Sequence, residues 1–145
     1  MVDFLVIGPV LNSTYKNMFH LIKDGDISFG WNIVVEFDGG FKFGNIRWFS
    51  NISDYCPPPF EFKRRYKDSD YKKFDNYDII NIDKTKDIPV DYMGLMGVPV
   101  TFLDKWNYDQ FDIIGVGVSG TGGVDVFAPI VEGDYKYRRI LIKRK

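Results

Sequence analysis

The chain has 145 residues, 45% of them hydrophobic and 27% charged, with 19 Lys plus Arg against 20 Asp plus Glu for a formal net charge of -1. That length fits one domain, or part of a larger protein, and the apolar content excludes a mostly disordered chain. No apolar run reaches the roughly eighteen residues of a membrane span, and the single cysteine (Cys56) and single histidine (His20) exclude a disulfide framework, a cysteine-based zinc cluster and a multi-histidine metal site. The opening residues lack the basic and long apolar regions of a secretory signal. A reducing, cytoplasmic setting is the expectation.

Alanine occurs once, at Ala128, while aromatic residues make up 17% of the chain. This balance favours strands over helices. Charge is unevenly spread: residues 1–62 carry net -3, 63–86 net +3, 87–134 net -7 and 135–145 net +6. The near-neutral total conceals two basic islands able to meet phosphates, or simply to form solvated surface.

In chain order, Phe4-Leu5-Val6-Ile7 before Gly8-Pro9 predicts a buried strand. Asn12-Ser13-Thr14 offers a helix N-cap, Tyr15, Met18, Phe19 and Ile22 fall at helical spacing, and Gly25 supplies a stop. His20 lies on this helix as a surface or packing residue. Residues 27–37 and 41–49 predict two strands joined by Asp38-Gly39-Gly40, a hairpin turn in which both glycines accept positive φ. In the second of these strands Phe41, Phe43 and Asn45 share one face, and Lys42, Gly44 and Ile46 the other. A proline-stiffened loop follows at 54–59, and then a polar, tyrosine-rich stretch at 63–78. A strand is expected at 77–82, irregular chain at 87–99 and a short helix at 101–106. Strands are expected at 111–118, 124–131 and 135–142, the last two split by Glu132-Gly133-Asp134. The basic C-terminal stretch reads as an edge strand protected by its charges.

Two motifs imitate catalytic signatures. Gly115-Val116-Gly117-Val118-Ser119-Gly120 matches GxGxxG, but no helix is predicted after it to carry a pyrophosphate, so a turn or bulged strand end is the better reading. Cys56-Pro57-Pro58-Pro59-Phe60 resembles the (Asn/Asp/Ser)-Pro-Pro-(Phe/Tyr) loop of amino methyltransferases. In that loop the first side chain accepts a hydrogen bond from the target amine, a task Pro57 cannot perform. No carboxylate pair has a spacing suited to acid–base work, and nothing local supports Cys56 with His20 as a nucleophile pair. Lys63-Arg64-Arg65-Tyr66-Lys67 and Tyr71-Lys72-Lys73-Phe74 interleave cations with rings, the mixture that nucleic-acid grooves use.

The stretch from Tyr77 through Asp87-Ile88-Pro89, Asp91-Tyr92-Met93-Gly94-Leu95-Met96-Gly97-Val98-Pro99 and Thr101-Phe102-Leu103-Asp104-Lys105 resembles the central run of the EcoRI-type adenine-specific DNA methyltransferases. Gln110-Phe111-Asp112-Ile113-Ile114-Gly115 and Gly44-Asn45-Ile46-Arg47-Trp48-Phe49-Ser50-Asn51 are similar to further stretches of that family, and the resemblance covers nearly the whole chain. The family's cofactor-binding glycine motif and Asn-Pro-Pro-Phe loop have no counterpart here. The resemblance therefore implies the C-terminal part of the methyltransferase sheet and the region expected to recognise DNA, without methyl transfer by this chain alone. The expected loss of a neighbouring half would expose a sheet edge and apolar surface, to be recovered by repacking, self-association or a partner.

The expectation is a single α+β domain over 1–145, a strand-rich mixed sheet with one clear N-terminal helix and short additional helices, binding no cofactor and no metal. The leading functional reading is a non-catalytic module that binds DNA. Phosphates would meet Lys63, Arg64, Arg65, Lys72, Lys73, Arg138 and Arg139, and base edges Asn45, Arg47 and Asn51. The alternatives are a protein-binding inhibitor of a host nucleic-acid-targeting complex, of anti-restriction or anti-CRISPR type, and one half of a split methyltransferase.

Overall fold

A computed structural model describes residues 2–52, 54–75, 77–117 and 128–145. Strands outnumber helices, as the composition predicts, and the architecture is α+β. None of the described helices is long and apolar enough to cross a membrane. The chain forms two compact units, Met1–Pro57 and Pro58–Lys145.

The first unit holds strands β1 (Leu5–Pro9), β2 (Ser28–Phe37) and β3 (Phe41–Ser50) and helix α1 (Lys16–Lys23). The strand order is β1-β3-β2, with β3 antiparallel to both neighbours. β1 and β2 therefore run parallel to each other, joined by a crossover through α1. β1 forms where its apolar run predicts, but it is not the buried strand expected: Leu5, Val6 and Ile7 are exposed, and among the described residues the strand is paired on one side only. The β2–β3 turn is the predicted one, with Gly39 and Gly40 at φ 94° and 78°. Gly25 ends α1 as expected, its amide bonding the Ile22 carbonyl while the Asp26 amide reaches Leu21. The start of α1 differs from expectation. Asn12, Ser13 and Thr14 lie within a 3-10 turn (Val10–Thr14), and Tyr15 occupies the N-cap position. The Ser13 and Thr14 hydroxyls donate back to the carbonyls of Val10 and Leu11, at 2.6 and 2.7 Å, so they stabilise the turn instead of capping the helix. Phe19, Ile22, Ile27, Phe29 and Phe49 are buried in this unit, Phe29 edge-on to Phe49.

The second unit is built on a four-stranded mixed sheet of β4 (Ile79–Asn81), β5 (Leu95–Pro99), β6 (Phe111–Gly117) and β9 (Arg139–Arg144). Their order is β4-β5-β9-β6; β4 is parallel to β5, and β9 is antiparallel to both of its neighbours. β7 (Ile130–Val131) and β8 (Asp134–Tyr135) make a separate hairpin, with Glu132 and Gly133 at φ 52° and 81°. Ile80, Met96, Val98, Phe102, Phe111, Val116, Ile140 and Ile142 are buried, and a smaller cluster gathers Phe74, Ile79, Val131 and Leu141.

Three expectations for the strands change here, while the short helix forms close to where it is expected. The stretch 87–99 contains β5, an inner strand hidden from a pattern reading by Gly94, Gly97 and Pro99. The basic C-terminal strand is not an edge: β9 is paired on both sides, and the chain expected as one strand over 135–142 is broken between β8 and β9. The short helix expected at 101–106 is a 3-10 helix (Val100–Lys105). Of the GxGxxG look-alike, Gly115 and Gly117 belong to β6, while Val118, Ser119 and Gly120 lie outside the described residues, as does the first half of the strand expected at 124–131.

Gly97 is a glycine because Phe74 crosses it. A Cβ there would lie 2.5 Å from the Phe74 ring. Gly97→Ala is expected to lower stability by about 1–3 kcal/mol. Gly44→Ala, in β3 with nothing within 4 Å of the added carbon, is expected to be neutral or slightly stabilising. Urea denaturation of both variants checks the contrast.

Candidate nucleic-acid interface

Residues 61–74 alternate between anchoring rings and outward cations. Phe62, Tyr71 and Phe74 are buried and Tyr66 is half-buried, while Lys63, Arg64, Arg65, Lys67, Lys72 and Lys73 are exposed. The Tyr66 ring stacks on Tyr71 (centroids 5.5 Å, 17°) and packs at a tilt against Tyr92 (4.4 Å, 32°). Its amide donates to Asp91 Oδ1 at 2.6 Å and its hydroxyl to Asp68 Oδ1 at 2.8 Å. The Tyr71 hydroxyl donates to the Asp87 carbonyl, and the Val90 amide to the Arg64 carbonyl. The segment, which holds a short 3-10 helix (Asp68–Asp70) and bridges β4 only at Lys73, is thus fastened to the 87–92 loop by rings and hydrogen bonds. The bond to Asp68 raises the Tyr66 pKa, and burial raises those of Tyr71 and Tyr92, so all three phenols stay neutral.

Four of the cations on this frame, Lys63, Arg64, Lys72 and Lys73, are matched to nearby acids. Arg64 lies 3.2 Å from both Asp70 and Asp87, with its guanidinium 5.3 Å above the Tyr71 ring. Lys73 meets Asp78 at 2.6 Å, Lys63 meets Glu61 at 3.9 Å, and Lys72 bonds Glu132. Hydrogen bonds to Asp70, Glu132 and Asp78 respectively raise the pKa of Arg64, Lys72 and Lys73. These pairs stand in water, where screening leaves them weak.

Arg139 is used differently. It is buried, and its guanidinium donates to Asn81 Oδ1 (3.1 Å), Asp83 Oδ1 (3.1 Å) and the Tyr137 carbonyl (2.7 Å). Asn81 Nδ2 also donates to Asp83 Oδ1. Burial lowers the Arg139 pKa. The Asn81 amide, with Lys136 and Arg139 behind it, holds the Asp83 carboxyl below the ordinary range. Arg138 is half-buried. In the first unit Asn45 is exposed on β3, whereas Arg47 is buried and donates to the Ile46 carbonyl. Asn51 accepts from the Phe4 amide (2.8 Å) and donates to the Val2 carbonyl (3.1 Å). The structure therefore gathers Lys63, Arg64, Arg65, Lys72 and Lys73 along one continuous segment, while Arg47, Asn51 and Arg139 serve internal bonds.

Other residues belong beside this segment. Asp75 receives the Glu132 and Gly133 amides at 2.7 and 2.8 Å, pinning the β7–β8 turn and filling the anion-binding hollow that the turn makes. Exposed Tyr135 and Tyr137 flank Lys136. Their alternation with Lys136 and Arg138 is the sequence signal that could have singled them out. The Cys-Pro-Pro-Pro-Phe look-alike ends in a structural ring: the Gln110 side chain clamps Phe60 through both its amide and its carbonyl, at 2.9 Å each, and Lys105 Nζ lies 4.2 Å from its ring centroid. No group of three or more potential metal-ligating side chains occurs among the described residues.

The family model described as "Adenine-specific methyltransferase EcoRI" matches residues 34–145. The Escherichia coli type II methyltransferase M.EcoRI is 36% identical, over 98% of this chain and 50% of its own length. M.MpnI of Mycoplasma pneumoniae is 29% identical and M.MgeORF184P of Mycoplasma genitalium 34%, each over 99% of this chain and 57% of its own. The chain thus spans about half the length of these relatives. No solved structure matches.

Arg139→Met removes every polar contact of that guanidinium, leaving Asn81 and Asp83 under-satisfied, and is expected to cost about 2–4 kcal/mol. Asp83, with a depressed folded pKa, contributes stability above its unfolded value of about 3.9 and loses it as pH falls through the lower folded value. Asp83→Asn is therefore expected to destabilise at neutral pH and to converge on the parent protein in acid. Urea midpoints between neutral pH and about pH 2.5 test both expectations.

Proposed function

The chain belongs to the EcoRI family of adenine-specific methyltransferases, and from that premise we propose that it binds duplex DNA through the 63–73 segment as a recognition module, without catalysing methyl transfer alone. The carrying observation is the arrangement of that segment: exposed cations on a frame of packed tyrosines, paired with solvent-exposed or half-exposed acids. A phosphate arriving at Arg64 takes the place of Asp70 and Asp87, and one arriving at Lys73 takes the place of Asp78. The ring stack does not have to move for either exchange, so little ordering accompanies binding. Arg138 extends the phosphate contacts. In the first unit, taken by itself, Asn45 is exposed on β3 and carries a side-chain amide suited to adenine N6 and N7. The non-catalytic part of the reading rests on the sequence, in which the family's cofactor-binding glycine motif and Asn-Pro-Pro-Phe loop have no counterpart.

A second reading, that the chain is one half of a methyltransferase completed by a cofactor-binding polypeptide, is favoured by the open, apolar edge of β1.

Fluorescence anisotropy of labelled duplexes tests the DNA reading. Neutralising six phosphates, at Lys63, Arg64, Arg65, Lys72, Lys73 and Arg138, predicts a log–log slope against salt of about -5.4, which falls by about 2.7 in magnitude when Lys63, Arg64 and Arg65 become Ala. Absence of binding at low salt, or an unchanged slope in the triple variant, would contradict it.

A further inference from the structure

We propose that the β7–β8 hairpin and the chain just after it bind a single-stranded nucleic acid by stacking its unpaired bases on Tyr135 and Tyr137. The two residues are 63 and 68% exposed. Among the described residues neither ring stacks on another ring, lies under a cation or donates its hydroxyl, whereas Tyr71 and Tyr92 both pack against Tyr66. The backbone beneath the two exposed rings is already fixed. Val131 is buried in the cluster with Phe74, Ile79 and Leu141. Successive strand residues point to opposite faces, so Tyr135, paired with Ile130, points away from that cluster. The Asp75 carboxylate accepts the Glu132 and Gly133 amides and holds Glu132 at φ 52°, a conformation that non-glycine residues rarely adopt. The Asp75 amide bonds the Ile130 carbonyl at 2.9 Å, the Lys136 amide bonds the Pro129 carbonyl at 2.7 Å, and Arg139 holds the Tyr137 carbonyl. Both rings therefore stand on chain that needs no ordering when a ligand arrives, which removes one of the main costs of binding.

The surroundings of the rings select the ligand. Residues 132–138 contain no aliphatic side chain, so the rings are not the centre of an apolar patch of the kind that marks a protein partner. Lys136 stands between them in sequence and Arg138 follows, while Lys72, in the cationic segment, bonds Glu132 in the turn. Exposed rings interleaved with cations suit a flexible strand: the cations follow its phosphates and each ring takes the face of a base. In a duplex those faces are covered by the neighbouring base pairs, so a duplex engages the cations of 63–73 and leaves the tyrosines unused. Single-strand binding of this kind goes beyond the duplex reading and stands independently of it.

Fluorescence anisotropy of a labelled strand of about twelve thymidines, against an abasic strand of the same length, tests the proposal. The abasic strand offers the same phosphates without base faces. The thymidine strand is expected to bind at least about tenfold more tightly. The double variant Tyr135→Ala, Tyr137→Ala is expected to lose that preference, and Tyr135→Phe, Tyr137→Phe to keep it, because the ring and not the hydroxyl makes the contact. Both side chains are exposed, so the variants are expected to keep the parent's circular dichroism. Their salt slope on a duplex is expected to stay at the parent's value, since no cation is removed, which separates failure here from failure of the duplex reading. A uridine strand measured alongside identifies whether DNA or RNA is the source, and ring-dependent binding of either supports the proposal. Equal affinity for base-bearing and abasic strands, a preference that survives the double alanine variant, or one that is lost in the double phenylalanine variant would overturn it.

Discussion

The sheet of the second unit cannot close until residues 139–144 insert between β5 and β6. β9 supplies ladder partners to Met96, Gly97, Val98 and Pro99 on one side and to most of β6 on the other. Its run Ile140-Leu141-Ile142 is at most 1% exposed, the unbroken apolar pattern of a strand covered on both faces. Arg139 enters at the head of this strand. A guanidinium buried there requires partners, because an unpaired charge in such a place costs several kcal/mol. Asn81 at the end of β4, Asp83 just beyond it and the Tyr137 carbonyl supply them. One side chain thereby ties the last strand of the unit to its first.

The candidate interface is built outward from that sheet. Residues 72–74 run along β4, with Lys73 bridging to Ile80 and the Phe74 amide bonding the Ile79 carbonyl. Asp75 then holds the β7–β8 turn, and upstream the packed rings of Tyr66, Tyr71 and Tyr92 fix the chain carrying Arg64. Two kinds of charge result. Arg139 is buried and bound to its neighbours, so it serves the fold. Of the exposed cations of 63–73, Arg64 lies over a ring and Lys63, Arg64, Lys72 and Lys73 are neutralised through water-screened pairs, which suits the proposed exchange of carboxylate for phosphate. The same surface acids keep the isolated chain near neutrality, and they oppose DNA unless phosphates displace them.

Local signals were legible wherever local physics decides. The Asp38-Gly39-Gly40 turn, the Gly25 stop and the strands of the first unit follow from short-range rules that tertiary packing did not override. The family was legible too, since its central run is long. Non-local facts were not. Gly97 punctuates the sequence of β5 because Phe74 must cross that strand, a contact no window reveals. The placement of β9 at the centre of its sheet cannot be read from cations at its ends. Among the predicted site residues, Lys63, Arg64, Arg65, Lys72 and Lys73 are surface cations, as an alternation of rings and charges implies. Arg139 and Asn51 have the same chemistry but are directed inward by partners distant in sequence, and Arg47 is buried against its own strand.

The exchange of carboxylate for phosphate is tested most directly by following side-chain nitrogen resonances of arginine and lysine by NMR while duplex DNA is added at low salt. The account predicts that Arg64 and Lys73 shift progressively as their bonds to Asp70, Asp87 and Asp78 give way. It predicts that Arg139 and the backbone amide of Tyr66 hold their positions, because the buried network and the tyrosine frame do not open. Unmoved Arg64 and Lys73 signals under conditions where DNA is bound, or a shift centred on Arg139, would contradict it.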